Sequence, residues 1–507
     1  MSILQHDDLT VFFGPPGTGK TTSLLNVVER ECATVEPYKV GFVSFTKKAV
    51  REARDRAIDK FGYTEGDLPN FRTLHSIAYR ANGIREDNMV KQENYLDFGR
   101  LIGADVQNKI NVEENALGQN RDGDQMLFTD GLSRNRQQEL YETWGEQFAQ
   151  PGQVTWPRQK QFSRAWEEYK LQRDLWDYTD LLQRFSSGNV PKLDVLIVDE
   201  CQDLSTLQWL AVAELAKHAQ RVYLAGDDDQ GIYFWSGANV AEFINIGGRH
   251  VVLDHSYRLP RQVYRQATRL LRRIHERHPK QFAPRDDEGE VSFDNELSDV
   301  RLEEGEWLLL ARNNYMLREL EEYLIYQGFH YSSKRWDPMK DDYVWAVKSW
   351  EGLRRGKKIS KKNVELIYRL LSVGTGVKRG FKSLAGMNPH GLYDAQTLRD
   401  EWGLLTDAIW HKALARMPND KRQYLLRLLE RGESLVKPPR IKLSTIHGAK
   451  GGEADNVLLL SDVSFRCWEN QRNHPDDEHR TFYVGATRAR RLLSVVRPQT
   501  GYYYDLQ

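Results

Sequence analysis

Hydrophobic residues in this chain gather into short continuous runs, and stretches with helical spacing lie between them. The clearest runs are residues 11–13, 39–45, 195–198, 221–225 and 250–253. Continuous apolar runs of this length are typical of strands that are buried on both faces of a parallel sheet, because helices cover both sides of such sheets. The pattern therefore predicts an α/β fold.

Two long stretches interrupt this alternation. Between about residues 81 and 190 strand signals nearly vanish, and the chain becomes polar, aromatic and helical. A second stretch, residues 336–439, is helical and in places basic. We predict that each stretch is a helical insertion in the α/β framework. We interpret the tryptophans of the first stretch as its core rather than as a platform on which bases stack.

A glycine loop joins the first predicted strand to the first predicted helix. Its sequence, Gly14-Pro15-Pro16-Gly17-Thr18-Gly19-Lys20-Thr21, has the G-x-x-x-x-G-K-T spacing in which backbone N–H groups cradle a polyphosphate. Glycines are needed because the backbone must approach the phosphate closely and adopt conformations that a side chain would forbid. Lys20 is expected to reach the β- and γ-phosphates, and the Thr21 hydroxyl is expected to hold Mg²⁺. The sequence therefore predicts a site for a nucleoside triphosphate.

Polar residues that suit phosphoryl transfer follow two later strands. Asp199 and Glu200 end the third apolar run, and Gln230 follows the fourth. Asp199 suits a hold on the Mg²⁺ carried by Thr21, while Glu200 suits polarising a water for attack on the γ-phosphate. Gln230 suits sensing that phosphate. Ligands of open α/β sheets sit at the carboxyl ends of the strands, where we expect these residues.

Composition changes this picture little. The 507 residues are 40% hydrophobic and 28% charged, which is typical of a soluble protein of several domains. Lys plus Arg and Asp plus Glu both number 72, and a net charge of zero neither supports nor forbids nucleic-acid binding. Three scattered cysteines indicate free thiols. The first strand leaves no room for a signal peptide and no apolar run reaches the ~20 residues of a membrane span, so we expect a cytoplasmic protein.

Further segments follow the glycine loop in a characteristic order. They are DHSYR at 254–258, WLLLARNN at 307–314, KLSTIHGAKGGE at 442–453 and YVGATRA at 483–489. With the loop, they make the chain resemble the UvrD/Rep-type superfamily 1 DNA helicases, as a short form of that family. The resemblance also places the chain among proteins of DNA replication and repair, without saying which process it serves.

The resemblance implies a definite domain organisation. We expect two RecA-like lobes with mostly parallel sheets, each carrying a helical insertion, with ATP and Mg²⁺ between the lobes. The expected parts are a first lobe at 1–80 with 190–249, its insertion at 81–189, a second lobe at 250–335 with 440–507, and a reduced insertion at 336–439.

The resemblance also assigns roles to residues. Arg258 and Arg488 act as fingers on the γ-phosphate and come from the second lobe, so that the site is complete only when the cleft closes. The residues implied in hydrolysis are Lys20, Asp199, Glu200, Gln230, Arg258 and Arg488. Those implied around the nucleotide and its metal are Gly14, Pro15, Pro16, Gly17, Thr18, Gly19, Lys20, Thr21, Thr22, Asp199, Tyr257 and Glu453. Those implied in DNA contacts are Phe45, Thr46, Thr73, His75, Tyr233, Trp235, Thr445 and His447.

Three positions depart from the family pattern, and all of them concern the nucleotide. Only Gln5 precedes the loop, and it lies too close for the glutamine that reads the adenine edge. Thr22 stands where the family often has arginine, and Gly452 replaces an apolar residue before the ribose-contacting Glu453. Tyr257 remains to stack on the base. Because stacking hardly distinguishes bases whereas edge hydrogen bonds do, we expect GTP, dATP and dGTP to support turnover within about a hundredfold of ATP.

The function that the resemblance implies is ATP-dependent movement along single-stranded DNA in the 3′–5′ direction, with unwinding at junctions of single- and double-stranded DNA. The protein is expected to be a monomer outside membranes. Two alternatives stay open. One is a DNA-dependent ATPase that translocates or strips proteins without unwinding, and the other is a nucleotide-gated DNA-binding module with little turnover.

Overall fold

The computed structural model describes residues 2–44, 47–109, 121–148, 154–185 and 190–507. Within them the chain divides into two compact units. Unit 1 comprises Met1–Phe293 and Ser461–Gln507, and unit 2 comprises Asp294–Leu460. Among the described residues, no helix combines the length and the apolar character that crossing a lipid bilayer requires.

The strands are short, as the short apolar runs predict. They are β1 (Leu9–Phe13), β2 (Val40–Val43), β3 (Phe71–Arg72), β4 (Val195–Val198), β5 (Arg221–Gly226), β6 (Arg249–Val252), β7 (Glu290–Asp294), β8 (Trp307–Ala311), β9 (Tyr331–Ser332), β10 (Ile359–Ser360), β11 (Leu392–Tyr393), β12 (Ile441–Thr445), β13 (Ala454–Leu460) and β14 (Ala489–Val496).

The helices occupy most of the chain between the strands. They are α1 (Lys20–Cys32), α2 (Lys47–Phe61), α3 (Leu74–Ala81), α4 (Gln92–Ile102), α5 (Asp122–Arg136), α6 (Leu140–Gln147), α7 (Trp156–Gln172), α8 (Tyr178–Phe185), α9 (Thr206–Ala216), α10 (Val240–Ile244), α11 (Arg261–Leu271), α12 (Met316–Gln327), α13 (Asp342–Arg354), α14 (Lys361–Leu370), α15 (Ala395–Asp400), α16 (Trp410–Ala413), α17 (Asn419–Glu430), α18 (Phe465–Asn473) and α19 (Pro475–Ala486).

The main sheet of unit 1 has the strand order β3-β2-β4-β5-β1-β6, and neighbouring strands pair in parallel. All four residues of β4 are buried. Leu196 and Val198 pack into the hydrophobic cluster on one face, and Val195 and Ile197 pack into the cluster on the other. Alternate side chains of a strand point to opposite faces, which is why β4 is continuously apolar. The predicted α/β fold with parallel sheets is confirmed.

Helices α4 to α8 form a helical segment with a core of its own in unit 1. Phe98, Phe162 and Trp166 lie in that core, and Trp144 packs against it. Of these, Trp166 is 1% exposed, in keeping with its interpretation as a core residue. Lys170 lies nearby, and its ammonium is 2.6 Å from carboxylates of both Asp177 and Asp180.

Unit 2 contains four strands in the order β13-β8-β12-β9, and each neighbouring pair is parallel. The stretch predicted as the second insertion contains α13 to α17 and the antiparallel pair of β10 and β11. Residues 250–293 and 461–507, expected in a second lobe, belong to the compact unit that contains the glycine loop. The division into two lobes with two insertions stays a prediction.

Candidate active site

The glycine loop connects the carboxyl end of β1 with the first residue of α1. Its first amide, Gly14 N–H, donates to the carbonyl of Gly226 at the end of β5 over 3.0 Å. Gly17 and Gly19 have φ of +73° and +81°, in the left-handed region that favours glycine. A Cβ on Gly17 would also overlap the side chain of Arg258. Glycine is therefore required at position 17 both by the backbone and by its neighbour.

The loop is shaped for an anion by its own hydrogen bonds. Thr18 Oγ1 donates to the Pro15 carbonyl over 2.8 Å, and Lys20 Nζ donates to the Gly14 carbonyl over 2.6 Å. The ammonium therefore folds back over the loop, where a phosphate oxygen can replace the carbonyl as its partner. Thr21 is half-buried and Thr22 is exposed at the start of α1. These residues fit a polyphosphate.

Asp199 supplies a buried carboxylate at the end of β4. Its backbone N–H donates to the Val43 carbonyl over 2.9 Å, and the residue is 2% exposed. Burial, with a smaller effect of the Glu200 charge, raises the pKa of Asp199 to about 7, while the Lys20 ammonium acts in the opposite direction. The effect of Lys20 indicates that Asp199 and the loop share one region. A hydroxyl on Thr21 and a buried carboxylate that lacks sufficient positive charge are hard oxygen ligands that fit Mg²⁺.

A chain of hydrogen bonds connects Glu200 with Arg488. Gln202 Nε2 donates to Glu200 Oε2 over 2.6 Å, and Gln202 Oε1 accepts from Asp227 N–H over 3.0 Å. Asp227 Oδ2 then accepts from Gln230 Nε2 over 2.6 Å, and Gln230 Oε1 accepts from Arg488 Nη2 over 2.7 Å. Three predicted hydrolytic residues are thus joined through two, Gln202 and Asp227, that the sequence analysis missed. The position of Gln202, two residues after Glu200, was the available signal.

Glu200 itself is held in an unusual conformation. Its φ is +57°, in the left-handed region that side chains rarely adopt. Such backbone strain costs of the order of 1–3 kcal/mol and is concentrated at functional sites. The turn that follows, with Gln202 at its centre, directs the carboxylate of Glu200 toward the amide that binds it.

The segment that contains Arg258 is attached directly to the glycine loop. Ser256 Oγ donates to the Pro16 carbonyl over 2.7 Å, and Tyr257 N–H donates to the Gly17 carbonyl over 2.9 Å. Ser256 is fully buried and was not among the predicted site residues. Arg258 and Arg488, expected from a second lobe, both lie in the compact unit that carries the loop.

Tyr257 offers an open aromatic surface beside the loop. Its ring is 72% exposed, and the ring of His255 meets it edge-on at 4.9 Å between centroids. Gln5 is exposed and precedes His6, whose Nε2 lies 2.8 Å from the Ala219 carbonyl at the amino end of β5. Because β1 and β5 are parallel and the loop follows the carboxyl end of β1, Gln5 is attached at the opposite edge of the sheet.

Two of the predicted DNA contacts lie at the start of α3. Thr73 occupies its N-cap position and His75 lies in its first turn, directly after β3. The His75 ring meets Tyr178 edge-on at 5.7 Å, and burial lowers the pKa of His75. The imidazole is therefore neutral near pH 7 and suits hydrogen bonding rather than ion pairing.

Two aromatic candidates follow β5, beyond Gln230. The rings of Tyr233 and Trp235 are half-buried and meet edge-on at 5.8 Å. They lie on the same side of the sheet as the turn that carries Gln230, because both follow the carboxyl end of β5. Phe45 and Thr46 lie outside the described residues.

The remaining candidates lie in unit 2. Thr445 ends β12 and His447 follows it; both are buried, and Thr445 Oγ1 accepts from Gly448 N–H over 3.0 Å. Glu453, the predicted ribose contact, is exposed and directly precedes β13. All three keep their predicted roles as predictions.

Two families of known proteins match this chain. The model of the UvrD/REP helicase N-terminal domain matches residues 4–249, and that of the UvrD-like helicase C-terminal domain matches residues 414–499. Together the matches cover well over half of the chain.

Individual relatives are distant but consistent. The chain is 25% identical over 354 residues to the ATP-dependent DNA helicase PcrA of Bacillus subtilis (strain 168), covering 62% of this chain and 47% of the relative. It is 26% identical over 359 residues to DNA helicase II of Escherichia coli (strain K12), covering 62% and 48%. It is 22% identical over 356 residues to the ATP-dependent DNA helicase Rep of Buchnera aphidicola, covering 61% and 50%. The chain thus spans about half the length of the curated relatives it matches.

Proposed function

The chain belongs to the UvrD/REP helicase family, and from that membership we propose that it hydrolyses ATP to move 3′–5′ along single-stranded DNA and to unwind duplex at junctions. The observation that carries the proposal is the hydrogen-bonded chain from Glu200 to Arg488. It joins a water-orienting carboxylate, a phosphate-sensing amide and an arginine in one compact unit.

ATP would bind with its phosphates on the glycine loop. Lys20 would exchange the Gly14 carbonyl for the β- and γ-phosphates, and Tyr257 would stack on the base. Thr21 and Asp199 would hold Mg²⁺, which supplies positive charge to the β- and γ-oxygens when bound. Desolvated Asp199 favours such a partner, since its buried charge is otherwise poorly compensated.

Glu200 would orient the attacking water. Gln202 fixes one carboxylate oxygen of Glu200 and leaves the group aimed by a strained backbone. The loss of such a water-orienting base typically costs ~10²–10⁴-fold in rate. Arg258 and Arg488 would stabilise negative charge that develops on the γ-phosphate in the transition state.

Single-stranded DNA would bind along the carboxyl edge of the main sheet of unit 1. Tyr233 and Trp235 would stack on bases, and Thr73 and His75 would contact the backbone. Because Trp235 lies five residues beyond Gln230, a shift of the sensing turn on hydrolysis would be felt at the base-stacking residues. Contacts from Phe45, Thr46, Thr445 and His447 complete the proposal.

The test is a pair of assays on the same preparation. ATP turnover is measured with and without single-stranded DNA, and strand displacement is measured on duplexes with a 3′ or a 5′ tail. We expect DNA to stimulate turnover and only the 3′-tailed duplex to be unwound. Glu200→Gln is the control and should bind nucleotide and DNA with turnover lowered ~10²–10⁴-fold.

Each other outcome selects a different function. Stimulated turnover without displacement would indicate a translocase that does not unwind. Binding of DNA that depends on ATP, with negligible turnover, would indicate a nucleotide-gated binding module. Displacement of the 5′-tailed duplex alone would overturn the proposed direction.

A further inference from the structure

Three consecutive aspartates, Asp227, Asp228 and Asp229, surround the ammonium of a single lysine. Lys280 Nζ lies 3.2 Å from Asp227 Oδ1 and 2.7 Å from Asp229 Oδ2, and it also bonds Asp228. All four side chains are fully buried. Buried charges are costly unless they are paired, so the ammonium is what allows three carboxylates to lie together without water.

Neighbours of Lys280 complete the enclosure of the acidic turn. Arg277 binds Asp229 through two bonds of 2.8 and 2.7 Å. The backbone N–H of His278 donates to Asp228 Oδ2 over 2.8 Å, and Arg480 Nε donates to the Asp228 carbonyl over 3.1 Å. Bonds from the stretch 277–280 thus reach side chains and backbone of the turn alike.

The enclosed turn carries the phosphate-sensing glutamine. Asp228–Gln230 is a single 3₁₀ turn, and the Asp227 carboxylate that faces Lys280 through Oδ1 accepts from Gln230 Nε2 through Oδ2. An amide has distinct donor and acceptor ends. With its nitrogen on Asp227, Gln230 must present its oxygen to Arg488, where the distance is 2.7 Å.

We propose that Lys280 is a positioning residue for ATP hydrolysis, an internal cation that holds the acidic turn in the one geometry in which Gln230 faces Arg488. Oxygens of the three aspartates all lie within 4.8 Å of one another, a spacing that suits a metal ion. In this protein the lysine ammonium takes that place. The inference rests on the proposed function, since it requires Gln230 to act on the γ-phosphate.

A purely structural ion pair makes different predictions from a positioning residue. The structural role lowers stability but leaves turnover per folded molecule unchanged. The positioning role lowers kcat because Gln230 loses its orientation, while KM for ATP changes little because the glycine loop is intact. The comparison therefore needs both stability and the separate kinetic constants.

The first experiment replaces Lys280 by alanine and compares it with a matched control. We expect Lys280→Ala to lower DNA-stimulated kcat about 100-fold, as removal of one preorganised donor does. Lys170→Ala is the control, because Lys170 is also a buried lysine, 2.6 Å from Asp177 and from Asp180, but it lies in the helical segment. It should lose stability while keeping its kcat.

The second experiment restores a cation to the Lys280→Ala protein. Ethylammonium chloride should raise its kcat about tenfold relative to tetramethylammonium chloride at equal ionic strength, because only ethylammonium has N–H donors. It should also raise the unfolding midpoint of the nucleotide-free variant by roughly 2–4 °C without affecting wild type. Mg²⁺ in the assay is not expected to substitute, since it dehydrates reluctantly.

The outcomes separate the two levels of the proposal. Wild-type kcat in Lys280→Ala, or equal losses of kcat in Lys280→Ala and Lys170→Ala, would overturn the positioning role. A wild-type protein without DNA-stimulated turnover would overturn the proposed function instead, whereas the shift in midpoint reports the cation site without any activity. If Lys280→Ala does not fold, Lys280→Met keeps the length of the side chain and serves for the same kinetic comparison.

Discussion

Replacing Gln202 by leucine tests the hydrogen-bonded chain that connects Glu200 with Arg488. Gln202 is fully buried, and its amide makes two bonds of opposite kind. The nitrogen donates to Glu200 over 2.6 Å, and the oxygen accepts from the backbone N–H of Asp227 over 3.0 Å. Leucine has a similar volume but can make neither bond, so the substitution removes the link with little change in packing.

The magnitudes follow from the two bonds. Leaving the buried Asp227 N–H without its acceptor costs about 1–3 kcal/mol of stability. A hydrogen bond to a charged group contributes about 1.5–3 kcal/mol. If the bond to Glu200 is felt in the transition state, its loss lowers kcat about 10- to 100-fold, at 1.36 kcal/mol for each tenfold. KM for ATP should be nearly unchanged, because the loop keeps its own contacts.

The assay is steady-state turnover on saturating single-stranded DNA, together with a thermal unfolding curve of each variant. Gln159→Leu is the matched control, because Gln159 is also fully buried and its amide donates to the Met126 carbonyl over 3.0 Å in the helical segment. It should lose about 1 kcal/mol of stability with unchanged kcat. Wild-type kcat in Gln202→Leu, or an equal loss in the control, would refute the reasoning.

Further predictions concern the phosphates and the base. Lys20→Ala should abolish hydrolysis while the unfolding midpoint stays near that of wild type, because the side chain is a solvated ligand and not a core residue; turnover at the wild-type rate would contradict the assignment of the loop. Arg258→Ala and Arg488→Ala should each lower kcat on the order of 10³-fold with modest loss of nucleotide affinity. Only Arg488→Ala should also lower the midpoint, since Arg488 is 1% exposed and donates to the Val484 carbonyl over 2.8 Å. GTP, dATP and dGTP should support turnover within about a hundredfold of ATP, and a preference for ATP beyond a thousandfold in kcat/KM would show a base reader besides Tyr257.

The elements around the glycine loop could be predicted from the sequence because their causes are local. The apolar run of β4 reports burial on both faces, and the glycine spacing reports the positive φ of Gly17 and Gly19. Each of these signals depends on residues a few positions apart. The fold class, the glycine loop and the carboxylates Asp199 and Glu200 follow from such patterns.

The order of motifs carried the family resemblance further than local physics could. It identified Gln230 and Arg488 as candidates although 258 positions separate them. It did not say that their side chains bond each other directly. That contact required the turn after β5 and the end of α19 to be packed together in unit 1.

Only the tertiary structure revealed Lys280 and Ser256. Lys280 lies in a polar stretch without periodicity, and its partner Asp228 is 52 positions away. Ser256 reaches the Pro16 carbonyl across 240 positions. Apolar periodicity specifies which face of an element is buried, because burial repeats with the turn of the helix or the pleat of the strand. It carries no information about which polar group meets another across the fold, since that choice depends on how separate elements are arranged in space.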